Sequence, residues 1–241
     1  MEPEKRAATE YWLARSNVTQ GIVAVDPGAR WGGYHARSRR ALQRWTIERM
    51  RRHRARYRLG VDLGCGNGDW TELFAQLCDE LHASDVSPTF VEQTRQRIAH
   101  HPASHITLRD VRDAPVPEGA DFVYFGAVLM YLEDREVVDV LKRVRARVAS
   151  NAHVIIRDWC TYNAGRRTVY PERGSTHRSA HDLRRLGEQV GLRCVEQRSS
   201  FSIYGELAAG RISGLAWPLR GILRVVTLPW TRASHTLRFY A

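Results

Sequence analysis

Residues 59–68 read Leu-Gly-Val-Asp-Leu-Gly-Cys-Gly-Asn-Gly, an apolar run that breaks into glycines at alternate positions. No other feature constrains the fold as much. A strand that opens into such a turn brings backbone N–H groups close to a ligand with no Cβ in the way. A helix starting near Asp69 would aim its positive end at the same place. Asp85 closes the next short apolar run, 81–85, about 20 residues past the first glycine of the turn. An acid there can hold the hydroxyls of a ribose. The pattern implies a nucleoside-containing cofactor.

Downstream of Leu59 the pattern alternates. Strands are expected near 59–63, 81–85, 105–109, 120–125 and 152–158, and helices near 68–79, 88–100 and 133–149. A further helix near 179–190, a strand near 192–198 and a last strand from His235 to Tyr240 continue it. Such alternation predicts a three-layer α/β fold, with a mostly parallel, doubly wound sheet covered by helices on both faces. Val137, Val138, Leu141, Val144 and Val148 recur at helical spacing and are assigned to packing.

The glycines Gly64, Gly66 and Gly68 follow G-x-G-x-G rather than the dinucleotide pattern G-x-G-x-x-G. With Asp62 before them, they resemble motif I of the class I S-adenosylmethionine (SAM) methyltransferases. Asp85-Val86-Ser87-Pro88 resembles that family's ribose-binding acid followed by a helix start. Asp110 resembles its adenine-reading acid, and residues 120–132 its motif IV. The resemblance covers about residues 55–200 and implies a seven-stranded Rossmann-like sheet whose last strand runs antiparallel. It implies SAM as cofactor and S-adenosylhomocysteine as product. Expected cofactor residues are Asp62, Gly64, Cys65, Gly66, Gly68, Asp85, Val86, Asp110, Val111 and Phe125. Trp31 and Tyr34, in the turn Trp31-Gly32-Gly33-Tyr34, are added as an aromatic clamp; a tight turn anchored by two core aromatics is the other reading.

Methyl transfer from a sulfonium is an in-line displacement, so the protein mainly aligns acceptor, methyl and sulfur. A base is required only where the acceptor must lose a proton. Candidates follow the fourth and fifth strands, whose carboxyl ends face the crevice. They are Tyr131, Asp158 and, before the next helix, His177, which stands beside Arg178 and the expected helix N-cap Ser179. His53, His82, His100, His101, His105 and His153 are read as surface or strand-end residues. No acid–His cluster shows ligand spacing, so no metal is expected.

The opening residues Tyr11-Trp12, Val18-Thr19-Gln20-Gly21, Gly32-Gly33-Tyr34 and Arg39-Arg40-Ala41-Leu42 are similar to the start of the protein α-N-terminal methyltransferases. That family carries histidine at the place of Tyr131, asparagine at that of Trp159 and aspartate near Arg173. The partial resemblance therefore implies shared ancestry with a different acceptor.

The chain's 241 residues suffice for one domain with a sizeable core. They divide into an N-terminal helical cap (1–58), a cofactor-binding core (59–200), an insertion (201–233) and a last strand (234–241). No apolar run approaches the ~20 residues of a membrane span. With no signal-type N-terminus, a cytoplasmic protein is expected. Cys65, Cys78, Cys160 and Cys194 never form C-x-x-C and are read as reduced thiols. The net charge of +11 comes almost entirely from arginine, densest between Arg37 and Arg58. Nucleic acid, anionic lipid, a phosphorylated substrate or plain solvation would each account for it. The insertion is apolar, with Trp217, Trp230, Arg220 and Arg224, and reads as a lid, an in-plane membrane contact through 211–232, or a homodimer interface.

The expected acceptor is a small or lipid-linked molecule methylated on oxygen or nitrogen. An RNA (tRNA) or peptide N-terminal methyltransferase and a non-catalytic SAM-binding subunit are the alternatives.

Overall fold

In the computed structural model, residues 3–18, 33–161, 165–199 and 233–241 are described. Two helices lead, α1 (Pro3–Val18) and α2 (Gly33–His53). The core then runs β1 (Tyr57–Leu63), α3 (Thr71–Ala75), β2 (Cys78–Asp85), α4 (Pro88–Arg97), β3 (Ser104–Leu108), β4 (Ala120–Gly126), α5 (Asp134–Arg147) and β5 (Val148–Cys160). A two-stranded hairpin, β6 (Thr168–Tyr170) and β7 (Ser175–His177), precedes α6 (Ala180–Gln189), β8 (Arg193–Ser199) and β9 (Ala233–Tyr240).

The main sheet has seven strands in the order β3-β2-β1-β4-β5-β9-β8, parallel except for β9, which runs antiparallel to both neighbours. From β1 the chain winds outward to β2 and β3, then returns to β4 on the other side of β1. That reversal opens a crevice at the carboxyl ends of β1 and β4. β1 and β4 are buried almost throughout, as parallel strands covered on both faces must be. One face packs Val61, Val123, Val154 and Phe239 against Val137, Leu141 and Leu183. The other packs Tyr57, Phe122, Tyr124 and Ile155 against Phe74 and, from α2, Trp45 and Met50.

The mostly parallel seven-stranded sheet with an antiparallel last strand agrees with expectation, but several boundaries moved. The helix expected at 68–79 shrinks to Thr71–Ala75, and β2 begins at Cys78 rather than at 81. The cause is pairing: Tyr57 lies opposite Cys78, and the Tyr57 N–H donates to the Leu77 carbonyl at 2.8 Å. Once β1 starts two residues early, 78–80 gain more as ladder than as helix. The β6–β7 hairpin was not foreseen; its three-residue strands are too short to show a period.

His153 is fully buried, not at the surface. Its Nδ1 pairs with the Tyr57 hydroxyl at 2.9 Å, while Arg238 Nε donates to its Nε2 at 2.8 Å. Burial, with the Arg238 charge adding, drives its pKa down to about 2. Part of the arginine belt is likewise committed to the fold. Arg54 meets Asp121 at 2.5 Å and Arg39 meets Asp69 at 2.6 Å, while Arg56 pairs with Asp79. Of the expected insertion 201–233, residues 201–232, with the expected lid or membrane contact, lie outside the described residues, as does Trp31; Tyr34 is the second residue of α2 and its side chain is not described. Among the described residues no helix is long and apolar enough to cross a membrane.

Candidate active site

The crevice holds a cavity of about 390 Å³, in the range of small-molecule sites. Two sets of elements line it. The first is the turn 64–69 with the ends of β2 and β3; the second is the ends of β4 and β5, the β6–β7 hairpin and α1.

In the first set, Gly64, Gly66 and Gly68 have φ of 79°, 56° and 79°, which glycine alone adopts without strain. A Cβ on Gly64 would lie 2.8 Å from Val128 Cγ2, and one on Gly68 would lie 2.9 Å from Thr94 Oγ1. Gly68 does not reach the cavity; it lets α4 pack against the turn. Asp85 braces this turn from below. Its Oδ2 accepts the Gly66 N–H and its Oδ1 the Ser87 N–H, both at 2.9 Å. Burial lifts its pKa to about 6 against those two donors. Asp62 is buried at the end of β1. Its Oδ2 accepts from Thr71 Oγ1 at 2.7 Å, while its Oδ1 has no partner among the described residues. Burial, aided by the Asp85 charge, raises this carboxyl to about 7.

A buried, half-satisfied carboxylate on a cavity wall lacks a cationic or N–H donor, which is what the amino group of SAM's methionine moiety offers. Cys65 and Val86 also line this part, and burial holds the Cys65 thiol far above its usual range. Asp110 Oδ1 accepts the Arg112 N–H at 2.9 Å, and Arg112 Nη1 reaches its Oδ2 at 2.8 Å. With Val111 it closes the outer end of this half. The turn therefore suits a nucleoside and an amino-acid tail. Helix α3 adds little: it is five residues long and begins at Thr71, and Asp69 before it is taken by Arg39 and by Gln43 at 2.7 Å.

Two expected residues stand elsewhere. Phe125 is fully buried in the sheet core and does not line the cavity; the neighbouring Tyr124 does. Adjacent strand residues face opposite ways, and the apolar run around 125 hid which parity faces the crevice. Asp158 is likewise off the wall, buried behind Arg157 and Trp159, with its Oδ1 accepting the Trp159 N–H at 3.0 Å. Burial holds it near 7. It can influence Tyr131 but cannot touch an acceptor in the cavity as it stands.

The second set is aromatic. Tyr11, Trp12, Tyr131, Trp159 and Tyr170 line the cavity with Met130, Arg173 and His177. Trp12 meets Tyr131 edge-on, with ring centroids 5.6 Å apart. The 129–132 turn that carries Tyr131 is anchored by Arg178, which is 3% exposed. Arg178 donates to the carbonyls of Leu129 and Leu132 and meets Asp134 at 2.7 Å. Arg178 is thus committed to the fold. Burial pushes the Tyr131 phenol above its ordinary value.

His177 sits on β7 with its ring 4.6 Å from that of Tyr170. Its Nδ1 has no partner among the described residues, and burial, with the Arg173 charge, lowers its pKa to about 4. The ring is therefore neutral at physiological pH. Ala127 also lines the cavity and has φ of 60°, the one non-glycine in that region among the described residues. It bends the chain out of β4 toward the acceptor half, a strain of the kind found at functional sites.

Comparison with known proteins agrees with this geometry. Residues 61–151 match the family described as "Methyltransferase domain". Those residues thus match a methyltransferase domain, and the sheet has the Rossmann-like fold of class I SAM-dependent methyltransferases. A SAM-dependent methyltransferase from Leishmania major shares the fold over 99% of this chain and 83% of its own, with a TM-score of 0.71 and 17% identity. The N-methyltransferase NodS from Bradyrhizobium japonicum, solved with S-adenosylhomocysteine, matches 97% of this chain and 98% of its own, with a TM-score of 0.64 and 18% identity. In sequence, nodulation protein S of Sinorhizobium fredii is 31% identical over 98 residues, 39% of this chain. The chain matches only 44% of that relative's length.

The N-terminal cap was expected, but not that Tyr11 and Trp12 of α1 line the cavity, nor that a hairpin adds Tyr170 to its wall.

Proposed function

We propose that this protein transfers a methyl group from SAM to an oxygen of a small, aromatic or lipid-linked acceptor. Bound SAM supplies an activated methyl on a positively charged sulfur. Asp62, the Gly64–Gly66 turn, Asp85 and Val86 hold it, and Asp110 with Val111 receives its adenine end. Tyr11, Trp12, Tyr131 and Trp159 exclude water and bind an apolar or aromatic body. His177 accepts the proton that the acceptor hydroxyl gives up.

The observation that carries this reading is a neutral, buried imidazole in the aromatic half of the cavity. A hydroxyl oxygen becomes strongly acidic only as its new bond to carbon forms, so a weakly basic imidazole suffices. An ammonium must shed its proton before it can attack, which an imidazole with a pKa of about 4 accepts poorly, and a carboxylate would be needed to draw the cation in. The carboxylates that line the cavity, Asp62, Asp69, Asp85 and Asp110, all belong to the glycine-turn half. Nitrogen methylation, as named for NodS, is the second reading, supported by that likeness.

Titration calorimetry with SAM and S-adenosylhomocysteine tests the first step, and a screen of phenols, hydroxylated lipids and amines tests the second. Micromolar binding of both cofactors with turnover on a hydroxylated acceptor supports the proposal. Absence of cofactor binding overturns it, and turnover on amines alone transfers the assignment to nitrogen. Methylation of tRNA would instead favour the nucleic-acid alternative, and cofactor binding with no turnover until a partner chain is added would favour a subunit role.

A further inference from the structure

Away from the cofactor cavity, β2 and β3 bring together three ligand-type side chains that no sequence spacing announced. Glu80 and His82 are two residues apart on β2 and so share a face. His105 stands opposite His82 in the parallel register of β3. The two imidazole rings are 4.6 Å apart. His82 Nε2 lies 2.6 Å from Glu80 Oε1, and His105 Nε2 lies 3.7 Å from the same oxygen. One ligand atom from each residue falls within 4.8 Å of the others. None of the three lines the cofactor cavity.

We infer that Glu80, His82 and His105 form a binding site for a late first-row divalent cation such as Zn²⁺, Ni²⁺ or Cu²⁺. Two imidazoles and one carboxylate are a borderline donor set suited to these ions rather than to Mg²⁺ or Ca²⁺. Bonds of about 2.0–2.2 Å in a tetrahedron place donor atoms roughly 3.3 Å apart. The His82–Glu80 contact must open by about 0.7 Å and the His105–Glu80 gap must close by about 0.4 Å. Rotamer adjustment achieves both, because the ladder between β2 and β3 already fixes the three Cα atoms, with Leu81, His82 and Ala83 opposite Ser104, His105 and Ile106. The side chains are 42%, 22% and 56% exposed for Glu80, His82 and His105, so solvent has access and water completes the coordination. Arg58 acts on Glu80 from nearby; its positive charge opposes the cation and argues for moderate affinity. The consequence is structural. Bound metal would clip the edge strand β3, which leads to Asp110, to β2, which ends on Asp85.

The test uses tag-free full-length protein titrated with ZnCl₂ and NiCl₂ by calorimetry. One ion should bind per chain with a Kd near 10 µM (an order-of-magnitude expectation for three mixed ligands at the surface). His82→Gln and His105→Gln should each weaken binding at least tenfold while S-adenosylhomocysteine affinity, the check on folding, stays within about twofold. Excess Zn²⁺ should raise the melting temperature of the parent by about 5 °C or more. Should a histidine variant misfold, Co²⁺ added to the parent decides: visible ligand-field bands that Zn²⁺ displaces support the site, and a featureless spectrum overturns it. No saturable Zn²⁺ binding below about 1 mM, or equal affinity in both histidine variants, also overturns it. None of these readouts depends on methyl transfer.

Discussion

Replacing Asp85 with Asn separates the two tasks the structure gives this carboxylate, bracing the turn and meeting the cofactor. The exchange keeps shape but leaves one acceptor oxygen where there were two. One N–H, of Gly66 or of Ser87, loses its partner at 2.9 Å and faces an amide NH₂ instead. A lost hydrogen bond to a charged group costs roughly 1.5–3 kcal/mol. Against this, burial has lifted the Asp85 pKa from 3.8 to about 6. The ionised form is thus held unfavourably by roughly 2 kcal/mol at neutral pH, after allowing for solvent in the open cavity. The amide removes that penalty. The two effects nearly cancel, so the cofactor-free variant should melt within a few degrees of the parent.

Cofactor binding has no such offset. A ribose hydroxyl that donated to a carboxylate now meets a neutral amide, a loss of roughly 1.5–3 kcal/mol, or about 10- to 100-fold in affinity. Calorimetry with S-adenosylhomocysteine at pH 7.5, paired with thermal melting, reads both quantities. Unchanged affinity would refute the reasoning and leave Asp85 as a brace only. A large drop in melting temperature with the affinity loss would show that the turn itself collapsed.

Gly64→Ala places a Cβ 2.8 Å from Val128 Cγ2 at a φ of 79°, and should cost about 2–3 kcal/mol. Adding Val128→Ala should return the steric part but not the backbone part, which differential melting of the single and double variants measures. His177→Gln should lower kcat about 100-fold or more with the S-adenosylhomocysteine Kd unchanged; an unchanged kcat removes His177 from the chemistry. Asp62, near 7, and Asp85, near 6, are largely neutral at pH 5.5. SAM affinity should therefore climb between about pH 5.5 and 7.5, and Asp62→Asn should flatten the upper part of that rise. Because folding raises both pKa values, their contribution to cofactor-free stability is fullest below 3.8 and is lost as pH climbs through 6 to 7. Saturating cofactor should suppress that loss in pH-dependent melts.

The glycine turn, Asp62, Asp85 and Asp110 were legible because their chemistry is local. A strand, a turn with positive φ and an acid at the next strand end lie within about 50 residues of chain and need no distant partner to be recognised. The alternation of apolar runs likewise set a mostly parallel sheet with helices on both faces, since right-handed crossovers leave few topologies open. Tertiary structure decided the rest. It placed Phe125 and Asp158 off the cavity wall by the parity and depth of their strands. It buried His153 through Tyr57 and Arg238, residues 96 and 85 positions away. It set α1 and the β6–β7 hairpin over the aromatic half, where Trp12 meets Tyr131 and Tyr170 meets His177. It also joined Glu80 and His82 to His105 across a register that only strand pairing fixes. Periodicity along a chain reports which face a residue shares with its neighbours; the burial that shifts a pKa and the partner that completes a site come from segments folded in from elsewhere.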